Sequence, residues 1–270
     1  MTMEAAKLFS SGAAQASISE EYRTTGYAVV AGVFGPDELQ SMLRAWTRIG
    51  DERRSEGKSP FATLLMAHLT YPEIRHIVRS AGLVRVVELL LGGKVDLIQS
   101  QLMFGAPGAK GFSPHQDNFY NRANPRDGII AAWIALEPVD QENGGVAVYP
   151  GSHAGGLVET RRDWLYLLSQ SPDIVKSLLR SLSPAGRNSA TDSGVLERFT
   201  YAVPPEGLRP VTHGLAPGSV LFMHGDLIHS SSPNRSDRFR RSLLTNFVRR
   251  GTEFHAGLST GRTAFDVYAA

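Results

Sequence analysis

The sequence predicts a mainly β protein with flanking helices, an α+β arrangement built on an antiparallel sandwich or barrel of jelly-roll type. Three observations favour this class: helical patterns come first, short strand-like stretches follow, and turns rich in Gly, Pro and Asn separate those stretches. No internal repeat or low-complexity linker divides the 270 residues, so we expect a single domain over residues 1–270.

The first third of the chain is predicted to be largely helical. Residues 1–18 are rich in Ala and Ser with little periodicity, which indicates a flexible arm or a short helix. A strand is expected over 24–34, followed by a helix over 35–50 with Pro in its first turn, early acidic residues and a Gly stop. Apolar spacing predicts a second helix over 71–91, which Gly92-Gly93 would end.

The rest of the chain is predicted to be strands and turns. Residues 157–198 interrupt this pattern with leucines on helical spacing, and we expect them to form an inserted helical lid. Runs of β-branched and other apolar residues bounded by turn residues predict strands over 95–105, 128–139, 144–152, 209–225 and 240–250.

Composition excludes several classes of function. The net charge is only +2 and the basic residues are scattered, so no nucleic-acid partner is expected. The absence of Cys excludes disulfides, thiolate metal sites and thiol nucleophiles, which leaves His, Asp and Glu as metal ligands. No stretch approaches the roughly 20 apolar residues of a membrane span and the start lacks a secretion-signal layout, so we expect a soluble, cytoplasmic protein without a membrane partner.

The stretch SPHQDNFY contains the first candidate for chemistry. Side chains at i and i+2 of a strand share a face, so His115 and Asp117 should project together while Gln116 points away. A second histidine on a neighbouring strand would complete two histidines and one carboxylate, the set that holds iron(II) and leaves coordination positions open. A lone His-x-Asp is weak, so the interpretation depends on that third ligand.

His229 and His224 are the candidates for the third ligand. We favour His229, because Arg240 or Arg241 follows it after a Ser-Pro-Asn turn, where an antiparallel return would bring a cation back beside the metal. His224 follows an apolar strand and is interpreted as a packed or solvated side chain. His153, in PGSH, is predicted to be a turn or helix cap.

Four stretches together resemble the phytanoyl-CoA dioxygenase family of iron(II)- and 2-oxoglutarate-dependent oxygenases. They occur in the family's order, over roughly residues 20–250: YRTTGYAVVAGVFGPDEL, HQD, ENGGVAVYPGSH and GSVLFMHGDLIHSSSPNRSDRFRR. The resemblance implies a cupin-like double-stranded β-helix that uses Fe(II), 2-oxoglutarate and O2 on a small-molecule substrate. It also implies His115, Asp117 and His229 as the catalytic metal ligands.

The resemblance further implies residues for co-substrate and substrate. Arg240, eleven residues past His229, would bond the far carboxylate of 2-oxoglutarate, a task that suits the fork of a guanidinium. Ser231 would offer a hydroxyl to the same group, Gln99 a polar contact, and Trp133 an aromatic wall if it is not simply core. The candidates for shaping the substrate pocket are Gln101, Asn118, Tyr120, Phe104 and Phe247.

Departures from the family's patterns narrow the expected reaction. Asp117 is present where halogenating relatives have Gly or Ala, so hydroxylation or a related oxidation is expected. Small polar metabolites, natural-product intermediates and acyl thioesters all occur as substrates among relatives, and we favour a small-molecule or secondary-metabolite substrate. Gly105-Ala106 stands where many relatives have Lys-Pro, and the longer signature of ectoine hydroxylases is missing. The alternatives are a zinc-dependent or a non-catalytic jelly-roll protein on the same metal site.

Overall fold

The computed structural model describes residues 11–162, 200–257 and 260–269 of the chain. Most of the described helices precede the long strands, in the order that the sequence predicts, and one short 3-10 turn lies at Arg126–Gly128. The α-helices are α1 (Gly12–Thr25), α2 (Pro36–Ser55), α3 (Ala67–Thr70), α4 (Pro72–Val78), α5 (Ala81–Leu91) and α6 (Asp117–Asn121).

The described strands are short, except for three long ones in the centre of the fold. They are β1 (Tyr27–Val30), β2 (Leu64–Leu65), β3 (Val95–Met103), β4 (Phe112–His115), β5 (Ile129–Ala135), β6 (Val146–Val148), β7 (Thr160–Arg162), β8 (Thr200–Ala202), β9 (Val211–Thr212), β10 (Val220–His224), β11 (His229–Ser231), β12 (Ser242–Arg249) and β13 (Phe265–Asp266).

Two main antiparallel sheets form the body of the protein. The larger sheet has the order β1-β10-β5-β12-β3-β13, and β2 also pairs with β3. The smaller sheet has the order β4-β11-β6-β9, while β7 and β8 form a separate pair. Strands that are distant in sequence are therefore neighbours in space, as in a jelly roll, and this architecture agrees with the predicted one.

Alternation along the central strands divides the side chains of the larger sheet between two cores. On β10, Phe222 packs in the core that contains Trp46 of α2, whereas Leu221 joins the core that contains Val148 of the smaller sheet. The molecule thus has three layers: helices, larger sheet and smaller sheet. Strand β5 is buried along its whole length because both of its faces are covered.

Helix α2 shows how the helical layer is attached to the larger sheet. The indole N–H of Trp46 donates to the carbonyl oxygen of Met103 at 3.1 Å, which ties the helix to the end of β3. Apolar side chains three to four residues apart form its buried face: Met42, Ala45, Trp46 and Ile49.

Two helix boundaries differ from the prediction. Helix α2 continues past Gly50, which is buried beside the Phe104 ring, so this glycine does not end the helix. The helix predicted over 71–91 is two helices, because Ser80 takes a ψ of 125° and starts α5. The break allows α4 and α5 each to bury an apolar face.

The predicted arm and lid fall partly outside the described residues. Within the arm, residues 12–18 belong to α1, whereas residues 1–10 lie outside the described part. The lid is described only at its base, where β7 pairs with β8, since residues 163–199 lie outside it. Among the described helices, none has the length and apolar character needed to cross a membrane.

Candidate metal centre

Two histidines and an aspartate converge beside the smaller sheet. His115 ends β4, His229 begins β11, and the two residues are direct partners in the antiparallel pairing of these strands. Asp117 is not on a strand, as the alternation argument assumed, but is the first residue of α6. Gln116 keeps an extended backbone, with φ −122° and ψ 125°, so the aspartate still follows the histidine into the same space.

The three side chains present one ligand atom each to a common point. Asp117 Oδ1 lies 3.8 Å from His115 Nε2 and 3.8 Å from His229 Nε2. The two imidazole ring centroids are 4.2 Å apart. All three ligand atoms fall within 4.8 Å of one another, so the group can hold one metal ion.

Backbone carbonyls orient both imidazoles. His115 Nδ1 lies 2.9 Å from the carbonyl oxygen of Ser113, and His229 Nδ1 lies 3.1 Å from that of Leu227. A carbonyl oxygen only accepts, so these contacts assign the proton of each ring to Nδ1 and leave the Nε2 lone pair facing the centre. Such contacts are typical of metal-binding histidines.

The carboxylate of Asp117 is oriented in the same way. Its Oδ2 accepts a hydrogen bond of 2.9 Å from Asn246 Nδ2, which leaves Oδ1 directed at the histidines. Burial lowers the pKa of His115 to about 4, and the neighbouring His229 adds to this shift. The imidazole of His115 is therefore neutral at pH 7, the form that binds a metal.

Polar side chains behind the triad connect its two chain segments. Gln116 turns away from the centre, as predicted, and its amide donates to the carbonyl oxygen of Asp226 at 2.6 Å. The buried carboxylate of Asp226 accepts from Asn118 Nδ2 at 2.9 Å and from Arg126 Nε at 2.7 Å. Asp226 precedes His229 by three residues, so this network fixes the segment of the first two ligands against that of the third.

Arg240 is a buried cation in the same part of the fold. Its side chain donates to the carbonyl oxygen of Gly144, and its guanidinium carbon lies 5.7 Å from the ring centroid of Trp133. Burial lowers the pKa of Arg240 to about 10, so the group stays charged at pH 7. Within the described residues its Nε is buried without a hydrogen-bond partner, an arrangement that fits a bound anion such as a carboxylate.

The comparison with known families identifies the chain. The model of the phytanoyl-CoA dioxygenase (PhyH) family matches residues 22–242, which include the candidate metal ligands and Arg240. The chain belongs to this family. A set of two histidines and one carboxylate suits iron(II) with open coordination positions. The Nε–H of Arg240, which has no partner among the described residues, suits a carboxylate of 2-oxoglutarate, so the residues present fit the groups that PhyH enzymes use.

Individual relatives agree with this assignment. A probable alpha-ketoglutarate-dependent hypophosphite dioxygenase of Stutzerimonas stutzeri is 25% identical over 244 residues, which are 84% of this chain and 76% of the relative. The phytanoyl-CoA dioxygenase domain-containing protein 1 of Bos taurus is 28% identical over 180 residues, which are 65% of this chain. The chain spans only 50% of the length of that second relative.

Solved structures show the same fold. The non-heme monooxygenase ThoJ superposes with a TM-score of 0.70 at 18% identity, over 94% of this chain and 84% of its own. The epimerase SnoN, in complex with Fe3+, alpha ketoglutarate and nogalamycin RO, gives 0.67 at 19% identity, over 91% and 87%. The predicted PhyH assignment, the jelly-roll fold and the class of iron- and 2-oxoglutarate-dependent oxygenase that acts with O2 are confirmed.

The other predicted co-substrate residues have mixed environments. Trp133 lies in the core between the two sheets, where its ring faces Arg240. Ser231 is on β11, and its hydroxyl accepts a hydrogen bond of 3.1 Å from the backbone N–H of Phe112. Gln99 is buried on β3, but its amide is engaged by other side chains. Co-substrate contacts of these three residues stay predictions.

The predicted substrate residues are not all near the metal centre. The Tyr120 ring lies 6.5 Å from the His115 ring, and Gln101 is partly buried on β3. Asn118 uses both ends of its amide within the protein, because Oδ1 also accepts from the backbone N–H of Ala123 at 2.6 Å, and this favours a structural role.

Phe104 and Phe247 require a correction. Both rings pack in the core between the helices and the larger sheet. Asn246, the residue before Phe247, points to the opposite side of the sheet and bonds Asp117. Because side chains alternate, Phe247 points away from the metal centre, and we assign both rings a structural role instead of a substrate contact.

His224 is separate from the metal centre. Its Nδ1 accepts a hydrogen bond of 3.0 Å from the backbone N–H of Asp226, and its ring packs 5.2 Å from that of His153. The Nε2 of His153 in turn lies 3.2 Å from the carbonyl oxygen of Arg23, at the end of α1. The preference for His229 over His224 as the third ligand thus agrees with the geometry.

Sequence reasoning missed two residues near Asp117. Asn246 was hidden in the strand SLLTNFVR, although a buried amide in an otherwise apolar strand is a signal that it has a polar partner. Arg262 lies beyond the predicted strands, and its buried guanidinium contacts Gln99. No spacing in the sequence indicates this contact.

Proposed function

We propose that the protein is an Fe(II)- and 2-oxoglutarate-dependent dioxygenase that hydroxylates, or otherwise oxidises, a C–H bond of a small molecule. In the hydroxylation, substrate, 2-oxoglutarate and O2 are converted into hydroxylated substrate, succinate and CO2. The observation that supports this most strongly is the combination of three converging ligand atoms with a buried arginine whose Nε is unpaired within the described residues. A zinc hydrolase on the same ligands would have no use for that cation.

The chain's residues divide into ligands and anchors. His115, Asp117 and His229 would hold the metal through Nε2, Oδ1 and Nε2, the atoms that their hydrogen bonds leave available. Arg240 would anchor the far carboxylate of 2-oxoglutarate, because a buried guanidinium paired with a carboxylate gains charge-assisted hydrogen bonds. When bound, iron(II) with 2-oxoglutarate supplies the activation of O2, and the protein supplies position and exclusion of water.

The substrate would approach beside the His115 ring. Tyr120 lies 6.5 Å from this ring and Phe112, which is 45% exposed, lies 6.4 Å from it. Two aromatic side chains of unequal exposure suit a partly apolar molecule, and SnoN is described with a nogalamycin compound. We therefore favour a natural-product intermediate as the substrate. The single domain, the lid and the cytoplasmic location stay predictions.

The proposal is tested by adding iron(II) and then 2-oxoglutarate to the protein without O2. A visible charge-transfer band of the iron chelate is expected for the wild type. Asp117→Ala and Arg240→Ala should weaken or abolish it, whereas Arg241→Ala is the matched control, because Arg241 pairs with Glu137 instead. No band in the wild type, or equal bands in all variants, would refute the proposal.

The substrate class needs a second measurement. Succinate release from 2-oxoglutarate can be screened against polyketide-like and other natural-product intermediates. Hypophosphite belongs in the same screen, since one relative is named for it. Stimulation by an apolar ring compound would support the proposed class, and stimulation by hypophosphite alone would replace it.

A further inference from the structure

We infer that Arg262 is a positioning residue of the metal centre, which acts on Asp117 through the side chains of Gln99 and Asn246. The inference rests on the proposed function, because it concerns how the same site holds its metal. All four residues are at most 9% exposed. Asn246 and Arg262 both lie beyond residue 242, where the match to the PhyH model ends.

The four side chains form a continuous series of hydrogen bonds, here called the relay, which runs from Arg262 through Gln99 and Asn246 to Asp117. Arg262 Nε donates to Gln99 Oε1 at 2.6 Å. Gln99 Nε2 donates to Asn246 Oδ1 at 3.5 Å, the longest and weakest link. Asn246 Nδ2 then donates to Asp117 Oδ2 at 2.9 Å.

The two ends of the relay, Arg262 and Asp117, determine which way the amide groups of Gln99 and Asn246 point. A guanidinium only donates and a carboxylate only accepts, whereas an amide does both. With Arg262 at one end, the oxygen of Gln99 must face it, and the amide nitrogen of Gln99 then faces Asn246. Asn246 is thereby left with its nitrogen towards Asp117. Turning either amide would bring two acceptors or two donors together.

The consequence for Asp117 is a single available oxygen. While Asn246 holds Oδ2, the carboxylate offers Oδ1 to the same point as the two histidines. If one hydrogen bond of the relay is lost, the amide of Asn246 can turn, and its hydrogen bond to Asp117 Oδ2 is lost as well. The carboxylate then loses both its fixed rotation and its preference for one oxygen, which should lower the affinity for the metal.

Arg262 also holds the backbone of the helix that Asp117 begins. Its Nη1 donates to the carbonyl oxygens of His255 and Tyr120, at 3.3 and 3.5 Å. His255 in turn donates its backbone N–H to the carbonyl oxygen of Asn121 at 2.7 Å. The segment after β12 is thus fastened to α6 at two points. Burial lowers the pKa of Arg262, and the charge of Asp117 partly offsets this shift.

Two substitutions separate the side-chain relay from the general attachment of this segment. Gln99→Glu keeps the size of the side chain and gives Arg262 an ion-pair partner, but it removes the donor to Asn246. Arg262→Gln removes the cation itself. Arg250→Gln is the matched control, because Arg250 joins the same segment to β3 through Asp266 and Asp96, at 2.7 and 3.0 Å, without contacting the relay.

The measurement uses Co(II), whose visible spectrum reports both affinity and coordination, with thermal unfolding of each apo variant as the check on folding. We expect Gln99→Glu and Arg262→Gln to weaken Co(II) binding by about 10- to 100-fold and to alter the spectrum, as in other metal sites that lose an outer hydrogen bond. Arg250→Gln should bind Co(II) as the wild type does.

The outcomes distinguish the inference from the proposed function. A wild type that does not bind Co(II) contradicts the proposed function. A wild type that binds Co(II), together with unchanged affinity in Gln99→Glu, overturns the relay even if Arg262→Gln is impaired. Equal weakening in Arg250→Gln would also overturn it, because loosening of the whole segment would then account for the loss.

Discussion

Replacing Arg240 with Met should separate co-substrate binding from stability. Met has a similar length and no charge, so it can fill the space beside Trp133 without an unpaired polar group. In the protein without ligands, Arg240 is a 5% exposed cation with an unpaired Nε within the described residues. The proposal assigns this group to a carboxylate of 2-oxoglutarate, so its loss should affect the complex far more than the free protein.

The expected magnitudes follow from the contacts. Removing one partner of a buried, hydrogen-bonded charge pair costs about 2 to 5 kcal/mol, which is roughly 30- to 4000-fold in the Kd of 2-oxoglutarate. In the free protein, the lost hydrogen bond to Gly144 contributes about 1 kcal/mol, while relief of the unpaired Nε returns about 1 to 3 kcal/mol. The free energy of unfolding should therefore stay unchanged or rise slightly.

Two assays and one control make this prediction decisive. The Kd of 2-oxoglutarate is measured from the anaerobic iron chelate band, and the free energy of unfolding from urea denaturation of the apo protein. Arg241→Met is the control, since Arg241 forms a two-point ion pair with Glu137, at 2.6 and 3.1 Å. The control should lose about 1 kcal/mol of stability and keep its affinity for 2-oxoglutarate. If the Arg240→Met protein binds 2-oxoglutarate as tightly as the wild type, Arg240 does not anchor the co-substrate.

Three further predictions concern the residues around this site and the cores. Gly105→Ala should weaken 2-oxoglutarate binding and lower the free energy of unfolding by at least about 1 to 2 kcal/mol, because Gly105 has φ +49° and a Cβ would lie 2.4 Å from the carbonyl oxygen of Arg240. Titration with 2-oxoglutarate measures the first effect and urea denaturation the second. Phe247→Ala should lose about 3 to 5 kcal/mol of stability, measured in urea, while the folded fraction keeps its Co(II) affinity, and a selective loss of Co(II) binding would contradict the structural role of the ring. Burial lowers the pKa of His68 to about 4, so below pH 6.5 the unfolded state binds more protons than the folded state. Up to about 3 kcal/mol of the free energy of unfolding is therefore lost as the pH falls towards 4. In urea denaturation, the free energy of unfolding of His68→Leu should change less with pH over that window.

The order of elements could be predicted because each depends on local patterns. Strand β5 and helix α5 follow from runs of apolar residues with the right period and from the turn residues that bound them. The boundaries were less accurate where tertiary packing decides. Gly50 looks like a helix stop in the sequence, but it lies inside α2 on the buried side that approaches Phe104, and the helix continues to Ser55.

The candidate metal ligands could be predicted because His115 and Asp117 form a compact motif and because His229 is followed by a basic residue, Arg240, after a Ser-Pro-Asn turn. His115 and Asp117 lie close together as predicted, but not through strand alternation, since Asp117 begins a helix. What stayed hidden depends on contacts over long sequence separations. Asn246 is 129 residues from Asp117, and Arg262 is 163 residues from Gln99. Only the folded chain brings them together.

The substrate residues were the least predictable part. Phe247 lies on β12 and Phe104 directly follows β3, but the sequence does not show which face of the larger sheet each ring occupies. Along β12, Leu243 and Phe247 pack in the core on the helix side of the larger sheet, whereas Leu244 packs in the core on the other side. Tyr120 lies near His115, with 6.5 Å between the ring centroids, because it follows His115 by only five positions, and its contact with a substrate stays a prediction.

The most direct test of the central claim is a crystal structure of the protein with a metal ion and 2-oxoglutarate, with the metal located by its anomalous scattering. We expect one strong peak in contact with His115 Nε2, Asp117 Oδ1 and His229 Nε2, and a dicarboxylate whose far end contacts Arg240. A peak that lacks any of these three ligands, or a dicarboxylate bound away from Arg240, would contradict it.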